Sequence, residues 1–348
     1  MRIPGRQSAL YIASVAAALV VSLAAGWTSL ATEIDNAAYD LMFRIYRPPA
    51  WQPSSALLTI DEQTLQESGV RSIRPLLAEG LELLAASQPK VVAIDVILSD
   101  KGDDAENSRL EKALSQTPNV VLSCDLLPEA AAWDDPLPRF RRWAAAVGHV
   151  HANPDPVSRA VPLEKATARD RRWALALEAY RVGHRADVLE SPRDLEIGAL
   201  HIPAARDDAR AMRIRYVPPN DPEIPRVSVR QLRADPRLAA VFGNKTVFVG
   251  VTAPTAARDR LMTPYRTFAV GLDIHANAFE TLERALFLRP APEWQVLLLC
   301  MVLAASVGIV FAKLSGWPAY GIAALLLARL EAASPTTVVP TPRSRCRI

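Results

Sequence analysis

The sequence predicts an α/β layered domain with a mainly parallel central sheet flanked by helices, carried between N- and C-terminal transmembrane helices. Three observations predict it. Strongly apolar blocks lie near both ends, while the 348-residue chain as a whole has a mean hydropathy of only +0.08. Between the blocks, short continuous apolar runs alternate with amphipathic stretches, the pattern of strands buried on both faces and covered by helices. That order favours a layered domain with right-handed crossovers.

The first block, residues 9–31 (ALYIASVAAALVVSLAAGWTSLA), carries no charge. As a helix it is long enough for the hydrocarbon core of a bilayer. Arg2 and Arg6 precede it, and Glu33, Asp35 and Asp40 follow. The positive-inside rule then places residues 1–8 in the cytoplasm and the following domain outside. A cleaved signal peptide is the rival reading, since Ser29 and Ala31 fit a small-x-small cleavage site, although the apolar core is long for one. The second block, 294–312, opens on Trp294 as an interfacial anchor and leaves at Lys313, which returns the chain to the cytoplasm. Residues 317–330 begin a third span but offer only about 12 apolar residues where about 20 are needed. The tail, 331–348, is rich in Pro, Thr, Ser and Arg and is expected to be disordered.

Residues 32–289 form the extracytoplasmic domain. Its strands are expected at 56–60, 91–96, 120–124, 147–151, 212–217 and 245–251. Its helices are expected at 74–86, 107–115, 172–182, 227–232 and 272–285. A net charge of +3 without a basic stripe or zinc-finger spacing argues against nucleic acid as a partner. Of 3 Cys, only Cys124 lies in this domain, so the core and not an internal disulfide must stabilise it. P-loop, nucleophile-elbow, HExxH and kinase motifs do not occur, and neither a cofactor nor an enzymatic activity is expected.

Several side chains fall where ligands bind in such folds. Asp61 and Asp95 each follow an apolar strand, at the carboxyl end where open parallel sheets place their crevice, and Asp259 follows the last one. The ordinary alternative is that these aspartates cap the next helix or satisfy a turn. His149 and His151 alternate along one strand, so that with Asp155 they are weak candidates for a metal site. No third ligand is set by spacing, and ordinary polar surface or pocket lining is the alternative. His275 and Asn277 open the last helix, where they suit an anion or a domain contact, or simply fix the helix entry.

These residues belong to longer motifs. Gly250-Val251-Thr252-Ala253, Asp259, Thr263-Pro264, then Gly271 and Ile274-His275-Ala276-Asn277 resemble the C-terminal signature of CHASE2 domains. Tyr39-Asp40 with Arg44 and Arg47-Pro48, Ile60-Asp61-Glu62 with Gly69, Ala93-Ile94-Asp95-Val96, Gly148-His149-Val150 with Asp155, and Arg159 before Val161-Pro162-Leu163 match in the same order. The resemblance covers about 33–288. It departs after Gly69, where Val70-Arg71-Ser72-Ile73-Arg74 stands in place of a Trp-Pro-type motif.

The resemblance implies the sensory input module of a bacterial signalling receptor in the inner (cytoplasmic) membrane, its main domain in the periplasm or outside the cell. The implied partners are an unknown small molecule or periplasmic protein, the lipid bilayer, a separate signalling kinase or cyclase, and a second copy in a homodimer. Family members usually continue through three membrane helices into an output domain, whereas this chain is expected to be truncated before one. The alternatives are a stand-alone adaptor or structural membrane protein, a truncated or frameshifted gene product and, last, a periplasmic metal-dependent hydrolase.

Overall fold

A computed structural model describes residues 28–45, 51–69, 72–127, 132–151, 155–217, 223–255, 260–288 and 292–313. It also describes isolated positions within 13–24 and 317–325. These fall into two units.

The smaller unit contains helix α1 (Ser29–Ile45) and a second helix, Glu293–Lys313. In α1 the rings of Tyr39 and Phe43, one turn apart, lie 5.6 Å apart, and Arg44 Nε donates to the Asp40 carbonyl at 3.0 Å. Most of the predicted span at 9–31 lies outside the described residues, as does the tail at 331–348. Among the described residues no helix is long and apolar enough to cross a membrane, so neither predicted span is seen as one. The Glu293–Lys313 helix still has ionisable charge only at its two end residues, and it exposes Leu297, Leu298, Met301, Val302 and Ile309.

The larger unit is a three-layer α/β/α sandwich, as predicted. Its sheet is built on β1 (Ser55–Ile60), β2 (Val91–Asp95), β3 (Val120–Leu126), β4 (Trp133–Asp134), β5 (Ala146–His149), β13 (Arg226–Ser228) and β14 (Thr246–Val251). The order is β13-β1-β14-β2-β3, with β5 parallel and β4 antiparallel to β3. All other pairings are parallel. The last long strand thus sits between the first two, with Val247 beside Ala56 on one side and Val92 on the other.

The period of two in each strand splits its side chains between two apolar layers. Ala56, Leu58, Ile60, Val92, Ile94, Leu122, Val247 and Val249 form one core. Against them pack Leu77, Leu81 and Leu84 of α3 (Arg74–Leu84), Leu110 and Leu114 of α4 (Asp104–Gln116), and Phe242. On the other face Leu57, Ala93, Val121 and Phe248 are buried. This face is covered by α6 (Leu175–His184) and α8 (Gly271–Glu283). Phe248 and Phe279 meet edge-on at 5.8 Å, and Tyr180 lies 6.4 Å from Phe279. The short helix α2 (Glu62–Ser68) follows β1, and α5 (Pro138–Arg141) joins β4 to β5.

Residues 160–213 add small antiparallel pieces. These are the hairpin β7 (Glu164–Ala166)–β8 (Arg171–Trp173), the three-stranded β9 (Val188–Glu190), β10 (Asp194–Ile197) and β11 (Leu200–Pro203), and β6 (Ala160–Pro162) with β12 (Ala211–Arg213). Arg210, 1% exposed, ties them together. Its Nε donates to Glu164 at 2.8 Å and its terminal nitrogens to the carbonyls of Ser191, Asp194 and Ala204 and to the Glu190 carboxylate. A hairpin, β15 (Arg260–Met262)–β16 (Phe268–Val270), precedes α8.

Three expectations are corrected. The strand expected at 212–217 stops at Arg213; beyond it Ile214 N donates to the Arg159 carbonyl at 2.9 Å, and the N–H groups of Arg215 and Val217 go to side chains. Thr281 accepts from Arg215 N at 2.9 Å, Asn277 from Val217 N at 2.9 Å, and the Tyr216 hydroxyl reaches the Ser158 carbonyl. The helix expected at 227–232 begins only at α7 (Val229–Ala234), since 226–228 are a strand of the main sheet. The helix expected at 172–182 begins at Leu175, with 171–173 taken by β8.

Candidate functional site

Parallel strands point their carboxyl ends to one edge of the sheet, and that edge gathers most of the predicted polar residues. Asp61 follows β1, Asp95 ends β2, Asp125 lies near the end of β3, and His149 ends β5. Two glycines let helices approach. A Cβ on Gly148 would stand 2.7 Å from Leu175 Cα, and one on Gly250 would stand 2.9 Å from Leu272 and 3.3 Å from Asp95 Cβ. The starts of α6 and α8 are therefore pressed onto the strand ends.

The predicted residues divide by role. Asp61 is the N-cap of α2, its Oδ1 accepting from Thr64 N at 2.8 Å and from the Thr64 hydroxyl. Glu62 reaches the loop after β14, accepting from Thr255 Oγ1 at 2.7 Å, which holds its carboxyl below the usual carboxylate range. Asn277 bridges backbone, accepting from Val217 N and donating from Nδ2 to the Asp273 carbonyl at 2.8 Å. Asp273 accepts from the Val270 N–H at the helix start and pairs with Arg226. Asp155 closes a turn onto Val157 N and pairs with Arg159 at 2.9 Å. Asp259 lies outside the described residues.

Asp95, His149 and His275 remain at the edge itself. Asp95 Oδ2 lies 3.6 Å from where a Cβ on Gly271 would be, at the first residue of α8. His275, one turn further, is 6% exposed. His149 is fully buried, and neither ring nitrogen has a hydrogen-bond partner. Burial, reinforced by the nearby His275 and His151 imidazoles and Lys165, pushes His149 down to about 3, so its ring is neutral. His151 turns instead toward Asp125, Nδ1 to Oδ1 at 3.1 Å. Among the described residues no group of three His, Cys, Asp or Glu side chains is placed to hold a metal ion, so His149, His151 and Asp155 are not assembled into one.

Sequence reasoning missed the surroundings of His149. Trp133 of β4 stacks on its ring with centroids 6.3 Å apart at 22°. Beside it, Asp135 Oδ2 accepts from Arg172 at 3.2 Å and from Arg141 at 3.3 Å. Cys124, the register partner of His149, is fully buried, and burial with Asp135 nearby pushes its thiol up to about 12. A two-residue strand leaves no periodic signal; only a lone Trp followed by two aspartates marked the place. A separate apolar cleft of about 330 Å³ lies at the opposite, amino end of the strands, lined by Leu81, Leu84, Pro89 and Pro118.

No curated protein and no solved structure matches the chain. A family model for the CHASE2 domain matches residues 15–310, across both apolar blocks and the whole α/β domain between them. That match spans well over half of the chain: the chain belongs to the CHASE2 domain family, a family of extracellular sensory domains.

Proposed function

We propose that the chain is a membrane-anchored input module that detects a small molecule at the carboxyl edge of its sheet, at Asp95, His149 and His275. One observation carries the reading. Three motif residues more than fifty positions apart in sequence lie along the edge where α/β sheets bind ligands, and one of them is a buried imidazole with unsatisfied nitrogens. A ligand that binds two conformations of this edge unequally shifts their populations, which is all that a sensor requires. Adding fractionated metabolite pools to the full-length chain in lipid nanodiscs is expected to raise its unfolding temperature. Replacing Asp95 by Asn or His275 by Gln should remove the shift; a shift that survives both substitutions counts against this edge as the site.

Anchoring is supported by the charge asymmetry around 9–31 and by the apolar surface of the Glu293–Lys313 helix. Leu189, 64% exposed, gives a probe of sidedness. A Leu189→Cys variant lacking Cys300 and Cys346 should react with a membrane-impermeant maleimide on spheroplasts, while the buried Cys124 stays silent. Labelling only after lysis would put the domain on the cytoplasmic side.

A further inference from the structure

The unsatisfied polar atoms around His149 form a set. Besides both of its ring nitrogens, the indole Nε1 of Trp133, Oδ1 of Asp135 and Nε of Arg172 are buried without a hydrogen-bond partner. They are contiguous: Trp133 stacks on His149, the Arg172 guanidinium carbon lies 6.0 Å from the Trp133 ring centre, and Arg172 bonds Asp135. Each such atom forfeits its hydration with nothing in return, and buried polar groups in native proteins are nearly always satisfied by protein, water or ligand. Five in one corner, at the sheet edge already singled out, point to a partner that enters there.

The chemistry of the set selects the partner. His149 is neutral and offers one N–H and one lone pair. Trp133 and Arg172 Nε only donate, and Asp135 only accepts. Asp135 is paired with both Arg172 and Arg141, and with Asp125 these make two positive and two negative side chains around Cys124 beside His149, so their charges balance and leave none in excess for an ion. The Trp133 ring has His149 stacked against it and the Arg172 guanidinium close by, which leaves its N–H edge as the contact.

We infer that the corner formed by β3, β4 and β5 binds a small uncharged ligand with adjacent hydrogen-bond donors and acceptors, a carboxamide or polyol, through His149, Trp133, Asp135 and Arg172. This rests on the sensory reading above and names the ligand class of that site. Buried water is the other source of the same hydrogen bonds, and the experiment separates the two.

The full-length chain with ¹⁵N-labelled histidine in nanodiscs has 5 His to resolve, and His149→Gln assigns the resonances of His149. Acetamide and glycerol are expected to shift them saturably, whereas acetate and methylammonium at the same concentrations leave them unmoved. Trp133→Phe should weaken the acetamide response about tenfold, the effect of one lost hydrogen bond. His149→Leu, which removes the orphaned nitrogens at similar volume, should raise the midpoint of denaturant unfolding without ligand; a merely structural histidine would lower it. Equal or larger shifts with the charged probes overturn the inference. So does a set of His149 resonances that no probe moves, the signature of sealed water. In either case a thermal shift with metabolite pools that is lost in Asp95→Asn would still uphold the sensory reading, so the two fail separately.

Discussion

Single residues here do work that their type does not announce. Arg74, at the start of α3, is 6% exposed, and its guanidinium holds Asp100 by two bonds of 3.0 and 2.9 Å and the Asp100 carbonyl by a third of 2.6 Å. This bidentate contact holds the Asp100 carboxyl below its usual range. It exists because Gly102, at φ +56°, has no side chain: a Cβ there would lie 2.1 Å from Arg74 Nη1. Gly102→Ala therefore meets both a left-handed backbone and a collision, and is expected to cost about 2–4 kcal/mol by urea denaturation. A loss under about 1 kcal/mol would mean that the Arg74 clamp is dispensable. His149 gives the residue-scale prediction in pH. Its folded value near 3 lies below the unfolded 6.5, so the unfolded state binds the extra proton between them. Stability is full above about 6.5, falls as pH drops through that window and levels near 3. The loss amounts to a few kcal/mol at most, and it begins well above the range in which Asp100 or Glu190, whose carboxyls are held low by Arg74 and Arg171, take up protons. His149→Leu should flatten the slope of unfolding free energy between pH 6.5 and 5; an unchanged slope would place its source in another group.

At the scale of elements, α8 is the tie between the beginning and the end of the domain. Glu280, with no exposed surface, accepts from both the backbone N–H and the hydroxyl of Ser55, each at 2.7 Å, at the first residue of β1. One turn later Arg284 donates to the Gln52 carbonyl and lies 5.8 Å from the Trp51 ring centre. Glu280→Ala strands a buried N–H and hydroxyl and should cost about 3–5 kcal/mol, whereas Glu280→Gln keeps the accepting oxygen and should cost less. Equal losses in the two variants would show that the carboxylate's charge, not its hydrogen bonds, is what matters. The same elements show what the sequence could tell. The strands β1, β2, β3 and β14 were legible because short, largely apolar runs of four to six residues bounded by turns have few other uses. The helices α3, α4, α6 and α8 followed from their apolar stripes. The pieces within 160–213 were not legible: their strands are three or four residues long, and they are held by the buried Arg210, a contact that no local pattern encodes. Among the site residues, Asp95, His149 and His275 stood in motifs and could be named. Trp133, Asp135 and Arg172 could not, since only tertiary structure brings β4 and β8 to the end of β5.

For the molecule as a whole, the decisive fact is the place of β14. Among the described residues the first strand pairs only with β13 and β14, and β2 only with β14 and β3. The chain therefore lays down β1, then β2, β3 and β5, and leaves open between β1 and the rest a slot that closes some 150 residues after β2. Until β14 fills it, β13–β1 and β2–β3–β5 are two partial sheets with no shared backbone hydrogen bond. Long-range pairing of this kind costs loop-closure entropy before any contact repays it, so folding should be slow and the domain should gain its cooperativity only at the end. The prediction is sharp in fragments. A piece spanning 51–288 keeps every strand and should unfold in one sigmoidal transition by near- and far-UV circular dichroism. A piece ending at 243 lacks only β14, the β15–β16 hairpin and α8, yet it should show a broad, non-cooperative melt with little near-UV signal. A cooperative transition in the shorter piece would mean that the two halves are independent domains. The consequence for sensing follows from the same topology. The strand that closes the sheet is followed, after the β15–β16 hairpin, by the helix that carries His275, so an event at the carboxyl edge would bear on the part of the chain that holds both halves together.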